Sequence, residues 1–304
     1  MKVLIVGLGS IAKKHISAIN QVIVNCEIFA LRSSINSEKI EGVFDLYTVE
    51  ECQNVRFDFI VISNPTSEHY NVIKELSKLK VPLFIEKPLF SEVTTDTDDL
   101  VRSINKLGIV TYVACNLRFL ESLRFLKEII KDERINEVNV YCGSYLPDWR
   151  PSLDFRKVYS ANVEMGGGVH IDLIHELDYV YWLFGRPNNT VSNFSNKSSL
   201  AISANDYANY LWEYEEYNIS IILNYFRRIA KRELEVVTDQ HVFKVDLLKN
   251  SVVRDNEKIF NSDRRIIDTY QSQMRFFIED IVLNKNVMND INEANEILKL
   301  CMQE

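Results

Sequence analysis

No uninterrupted apolar run in these 304 residues approaches the roughly 20 that a membrane-spanning helix requires, which argues against a membrane protein. A basic excess is missing too. Lys and Arg number 35 against 43 Asp and Glu, a net charge of -8, whereas a nucleic-acid surface demands clustered cations. Cysteine is sparse: Cys26, Cys52, Cys115, Cys142 and Cys301 are odd in number and contain no C-x-x-C pair, which fits reduced thiols in a cytoplasmic protein. Internal repeats and low-complexity linkers are absent. The apolar opening Met1–Val6 ends in Gly7-Leu8-Gly9 without the small-residue pattern of a signal cleavage site, so it reads as a buried first strand. The sequons at Asn188, Asn193, Asn196 and Asn218 are those expected by chance in an Asn-rich chain.

What is present is ordinary globular material, 46% apolar and 26% charged, in a length that one hydrophobic core seldom serves. Residues 1–117 alternate short apolar strands with amphipathic helices: strands at 1–6, 27–31, 57–63, 82–85 and 109–115, and helices at 11–21, 67–79 and 95–107. That alternation predicts an α/β domain of the Rossmann type, a doubly wound parallel sheet covered on both faces. Residues 118–304 change character. Helices are predicted at 121–131, from 166, over 267–281 and at 291–300, with a strand at 137–142 and runs of strands between 190 and 250. The expectation is a C-terminal α+β domain with a largely antiparallel open sheet.

Gly7-Leu8-Gly9-Ser10-Ile11-Ala12 follows the first strand and opens the first helix, the context in which G-x-G-x-x-G/A binds a dinucleotide. Gly7 permits the tight turn, Gly9 admits the pyrophosphate, and Ala12 keeps helix and strand close. Ser10 and Ile11 present the helix N-terminus to phosphate. About 20 positions on, where NAD-binding domains place an acidic residue, the chain has Leu31-Arg32-Ser33-Ser34. Arg32 and Ser33 would suit a 2′-phosphate, so NADP is favoured, with NAD possible.

Ser63-Asn64-Pro65, followed by His69, and Glu86-Lys87-Pro88 end two further strands on the side where substrates approach such sheets. Together with the glycine turn and a Gly166-Gly167-Gly168 segment, they resemble the Gfo/Idh/MocA family, the relatives of glucose-fructose oxidoreductase and inositol dehydrogenase. The resemblance covers nearly the whole chain. It implies that Lys87 reaches both nicotinamide and substrate, with Glu86 and Pro88 shaping the turn and the Lys–Pro bond often cis. The tract His170-Ile171-Asp172-Leu173-Ile174-His175-Glu176-Leu177-Asp178 would complete the site. On one continuous helix Asp172 and His175 share a face. Many family members space these two residues by four, and the D-x-x-H-E-x-D form looks like one branch.

The resulting expectation assigns proton transfer to His175, assisted by Lys87, and substrate orientation to Asp172. His170 and His175 lie about 140° apart around a helix, poor geometry for chelation, so no metal is expected. The role of His170 stays open. Tyr145, Trp149, Arg150, Arg156 and Tyr159 interleave aromatic faces with cationic donors. With Asn116 and Arg118 they resemble a branch acting on sugars or nucleotide sugars of bacterial surface glycans. The expected enzyme is an NAD(P)-dependent dehydrogenase or reductase of a sugar-like small molecule, cytoplasmic, and a homodimer or homotetramer through its C-terminal sheet. The alternative from another class is a nucleotide-sensing regulatory protein on the same fold, without turnover.

Overall fold

In the computed structural model, which describes residues 1–284 and 287–303, the chain forms two compact units. The first comprises Met1–Cys115 and Tyr270–Leu298; the second comprises Asn116–Thr269 and the residues from Lys299. The first unit runs β1 (Lys2–Val6), α1 (Ser10–Val22), β2 (Glu27–Leu31), β3 (Val43–Leu46), α2 (Val49–Gln53), β4 (Phe59–Ile62), α3 (His69–Leu76), β5 (Leu83–Glu86), α4 (Thr95–Lys106) and β6 (Thr111–Ala114). All six strands are parallel in the order β3-β2-β1-β4-β5-β6, the doubly wound arrangement. The strands that read as continuous apolar runs are those buried on both faces, as Phe59–Ile62 is throughout.

Two elements of this unit carry no such run. The edge strand β3 is half exposed, and α2 is held by its start, where Thr48 and Glu51 form a reciprocal capping box. The predicted helix at 67–79 is also divided, with single turns of 3-10 helix at Thr66–Glu68 and Ser77–Leu79 flanking α3 and no side-chain cap at its start.

The second unit contains α5 (Glu121–Ile129), β7 (Ile135–Tyr145), α6 (Val169–Asp172) and α7 (Ile174–Phe184). Strands β8 (Asn189–Ser195), β9 (Tyr207–Glu213), β10 (Asn218–Asn224), β11 (Phe226–Thr238), β12 (Val242–Asp246), β13 (Ser251–Arg254) and β14 (Glu257–Asn261) follow. The eight strands order as β14-β13-β12-β11-β7-β10-β9-β8, antiparallel except for the parallel pair β7 and β10. Period-two burial is clear on β10, where Ile219, Ile221 and Leu223 are fully buried.

The chain then returns. Helices α8 (Thr269–Phe276) and α9 (Ile291–Met302) lie mostly in the first unit, with a wider π turn at Phe277–Leu283 after α8. This differs from the division at 117/118, which kept everything later in the second domain. The reason is the apolar face of the returning segment: Phe277 is fully buried with its ring 5.2 Å from Phe59, 5.2 Å from Phe84 and 5.9 Å from Tyr112. Full burial of one such ring contributes about 1.5–3 kcal/mol, so the parallel sheet gains part of its core from residues 150 positions downstream of its last strand, roughly.

Candidate active site

In the first unit the glycine turn leaves β1 with Gly7 at φ +78°, and a Cβ there would sit 2.6 Å from Cα of Asn64. Only glycine fits that approach. Gly9 behaves differently: it is the N-cap of α1, no side chain caps the helix, and a Cβ at this position would meet nothing within 4 Å. The space above Gly9 is therefore open toward the uncapped first turn of Ser10, Ile11 and Ala12, whose N–H groups have no intrahelical acceptor. Ala12 itself is fully buried, as its packing role requires. The amide oxygen of Asn64, beneath the turn, is buried without a hydrogen-bond donor. An open cradle, a helix N-terminus and an unsatisfied acceptor fit a dinucleotide phosphate and its sugar.

Several residues predicted to touch the cofactor instead build the cradle. Ser63 donates its hydroxyl to the carbonyls of Val6 and Gly7, both at 3.0 Å, tying β4 to the turn. His69 is fully buried, with Nδ1 3.0 Å from the Leu89 carbonyl and Nε2 3.2 Å from that of Asn64. Burial lowers its pKa from the ordinary range, and the buried ring lies between these two carbonyls, donating to one of them when neutral. Arg32 is not a solitary cation. Nη1 donates to Asp45 at 2.7 Å and Nη2 to the carbonyl of Glu38 at 2.8 Å, so a carboxylate from β3 already answers its charge. Ser33 and Pro65 are exposed.

Lys87 follows β5 and is half-buried, and its peptide bond to Pro88 is cis. Its backbone N–H donates to Oε2 of Glu86 at 3.1 Å. The other oxygen of that carboxylate accepts from Nε2 of the fully buried His15 on α1 at 2.5 Å.

In the second unit Asp172 and His175 do not share one continuous helix. Asp172 ends α6, Leu173 leaves helical geometry at φ -99° and ψ 23°, and His175 stands on the first turn of α7. Both side chains are half-buried. Oδ2 of Asp172 accepts the hydroxyl of fully buried Tyr225 at 2.5 Å, and the Tyr225 ring meets Trp149 edge-on at 5.3 Å. Trp149 in turn donates Nε1–H to Ser144 at 2.9 Å. Tyr159 lies in the same neighbourhood: burial, reinforced by the charge of Asp172, holds its hydroxyl well above the usual phenol range. The glycine tract makes this possible, because a Cβ on Gly167 would fall 2.0 Å from the Tyr159 carbonyl. That tract is therefore a packing device.

His170 stacks on Phe194 at 4.9 Å, and burial lowers its pKa to about 4 against the opposing pull of Asp172. It is uncharged near neutral pH and belongs to the core.

Three proposed substrate contacts are corrected. Arg118 is buried and donates Nε and Nη2 to Asp178 at 2.9 and 2.6 Å, a bidentate pair that fixes α7. Asn116 is buried and donates to Oγ1 of Thr269 at 2.7 Å. Tyr145 alternates with Ser144 along β7 and so lies on the sheet face opposite Trp149, covered by the Arg228 guanidinium at 3.7 Å. Arg150 and Arg156 are exposed, the latter over the ring of Phe155 at 4.4 Å. A second pair, half-buried Arg232 with buried Glu176, braces α7 beside His175. Tyr225 escaped sequence reading because it lies 53 residues from Asp172 with no local pattern linking them.

The strand order and the glycine turn define the Rossmann class of dinucleotide-binding folds. Residues 1–115 match the oxidoreductase family with an NAD-binding Rossmann fold, and residues 123–244 match the C-terminal domain of the same group. The chain belongs to the Gfo/Idh/MocA oxidoreductase family. It is 22% identical to the myo-inositol 2-dehydrogenase of Thermotoga maritima over 194 residues, 61% of this chain and 55% of that protein. The chain spans about half the length of the curated relatives it matches first. In fold it resembles the scyllo-inositol dehydrogenase of Lactobacillus casei with bound NAD(H) and scyllo-inositol, with a TM-score of 0.80, 19% identity, and coverage of 99% of this chain and 95% of that one. The UDP-N-acetylglucosamine 3-dehydrogenase GnnA of Acidithiobacillus ferrooxidans gives 0.79 at 17% identity, covering 100% and 96%. No helix among the described residues is long and apolar enough to cross a membrane.

Proposed function

We propose that this protein is an NAD(P)-dependent oxidoreductase that interconverts a ring hydroxyl and a ketone on a sugar, nucleotide sugar or related polyol. The observation that carries the reading is the open, uncapped cradle at Gly9 in a chain that also places Lys87 at the end of β5. The two inositol dehydrogenases and the UDP-sugar dehydrogenase among its relatives support the substrate class. A bound nicotinamide would supply the hydride donor or acceptor. Lys87 stabilises negative charge developing on the substrate oxygen, His175 takes or returns the hydroxyl proton, and Asp172, held by Tyr225, orients the ring. Trp149 offers an aromatic face to a sugar, and Arg150 and Arg156 suit an anionic substituent.

The deciding experiment titrates the protein with NADH and NADPH by fluorescence, then assays turnover across inositols, free sugars and UDP-sugars. Dinucleotide binding with turnover of a panel member is expected; binding without turnover of any would favour the regulatory reading.

Tyr225→Phe removes the donor to Asp172 while keeping the buried ring. A charged acceptor loses about 1.5–3 kcal/mol with such a bond, so kcat/KM should fall at least about tenfold with the fold intact by circular dichroism. Cofactor choice turns on Asp45. Arg32 favours NADP, but its pairing with Asp45 weakens the discrimination, and we propose a site that takes both dinucleotides. Asp45→Asn should raise the ratio of kcat/KM for NADP over NAD by about tenfold, measured in parallel with both cofactors.

For assembly we propose a homodimer or homotetramer through the outer face of the eight-stranded sheet, where Val191 and Leu211 are exposed. That face is mixed, with Asn139, Ser220, Glu233 and Lys244 beside Ile222, polar groups with which a second copy of the chain would form hydrogen bonds. Light scattering at micromolar concentration measures the state directly.

A further inference from the structure

From the contact between α1 and β5 we infer that His15 is a positioning residue for Lys87, acting through Glu86 as a strut between the cofactor-cradling helix and the lysine turn. The inference rests on the proposed function and adds to it a residue with no part in the chemistry described above.

His15 has no solvent exposure, and its ring is clamped edge-on by Phe84 at 4.9 Å and Tyr270 at 5.9 Å. Its one polar contact among the described residues is Nε2–H to Oε1 of Glu86, while Nδ1 is buried without a partner. A histidine that leaves one nitrogen unsatisfied in an aromatic slot is costly to keep for packing alone, since a phenylalanine would fill the same space without desolvating a polar ring. What the imidazole supplies is a fixed donor. It fixes one oxygen of Glu86, and the other oxygen then receives the backbone N–H of Lys87 at 3.1 Å.

The two ends of this chain of contacts matter. His15 lies one and a half turns along the helix whose first residue, Ser10, follows the open turn at Gly9. Glu86 closes β5 and Lys87 is the next residue. The strut therefore sets the height of the lysine backbone relative to the helix that would hold the pyrophosphate. The geometry needed is tight, because a displacement of about 1 Å at a reacting group can cost about a hundredfold in rate.

The test uses the full-length protein with His15→Phe, His15→Gln and Glu86→Ala. Phenylalanine keeps the aromatic packing without the donor, whereas glutamine returns an amide N–H at a comparable reach. For His15→Phe and Glu86→Ala the expectation is a fall in kcat of about a hundredfold with the substrate KM changed by less than about threefold, and recovery of most of the loss in His15→Gln. Independently of any substrate, hydrogen exchange at the Lys87 amide should accelerate by about tenfold in His15→Phe and Glu86→Ala and return toward wild type in His15→Gln.

Unchanged exchange at Lys87, unchanged kcat in His15→Phe, or a glutamine variant as impaired as phenylalanine would each overturn the strut. Should His15→Phe fail to fold, Glu86→Ala and His15→Gln still decide the matter, because the Glu86 side chain is 12% exposed at the end of β5 and its removal opens no enclosed cavity. A wild-type protein that binds neither NADH nor NADPH would overturn the proposed function instead, while the exchange measurement continued to report on the strut.

Discussion

Lys87→Ala is expected to lower kcat/KM by about a thousandfold, close to 4 kcal/mol of transition-state stabilisation, while leaving the fold intact. The magnitude follows from what the ammonium would do. Oxidising a hydroxyl places negative charge on oxygen as the proton departs, and a cation held in a half-buried position beside that oxygen acts in a medium less screening than water. The loss should appear mainly in kcat, because the charge develops beyond the ground state. Lys87→Arg should recover little: a planar guanidinium cannot place a point charge where a compact ammonium does. Fluorescence titration with the dinucleotide should show affinity within about threefold of wild type, separating the chemical role from binding. A Lys87→Ala enzyme with full activity would remove the lysine from the mechanism.

The largest stability effect is expected at Asp178. Its carboxylate and the Arg118 guanidinium are both about 1% exposed and meet through two short bonds. Deleting the carboxylate removes two charge-assisted hydrogen bonds from a buried cation, which costs about 3–5 kcal/mol, a large part of the 5–15 kcal/mol by which a domain is usually stable. Asp178→Ala should therefore lower the urea midpoint sharply, whereas replacing both partners with apolar side chains of similar volume should restore most of the loss. Equal destabilisation by the single and double substitutions would show that the pair itself, and not the loss of one partner beside the other, carries the stability.

The same arginine shows where sequence reading succeeds and where it cannot. Arg118 beside Asn116 suggested donors for a substrate, yet nothing local distinguishes an arginine that faces a ligand from one that meets an aspartate 60 residues later. Arg32 presents the same difficulty, since Asp45 neutralises it from a strand too exposed to announce itself by apolar periodicity. The parallel sheet was legible because burial on both faces writes uninterrupted apolar strands, and the Gly7–Ala12 turn because strand, glycine spacing and helix occur together.

Asp172 and His175 were legible as residue types but not as geometry. Their spacing satisfies a helix, and only the backbone at Leu173 reveals the break. The capping box at Thr48 and Glu51 was a signal within reach, and it marks the short helix that follows the unread strand.

The return of residues 270–298 to the first unit has a consequence for how this protein can be cut or recombined. The bulk of the second unit, Asn116–Thr269, interrupts the first, so the dinucleotide-binding half is not encoded by any single stretch of the gene. A fragment ending at Cys115 would leave Phe59, Phe84 and Tyr112 without the Phe277 ring that covers them, and should aggregate through that exposed apolar surface. Exchange of substrate specificity between relatives would have to proceed by replacing the internal cassette Asn116–Thr269, with the returning segment Tyr270–Leu298 preserved as part of the half that came first.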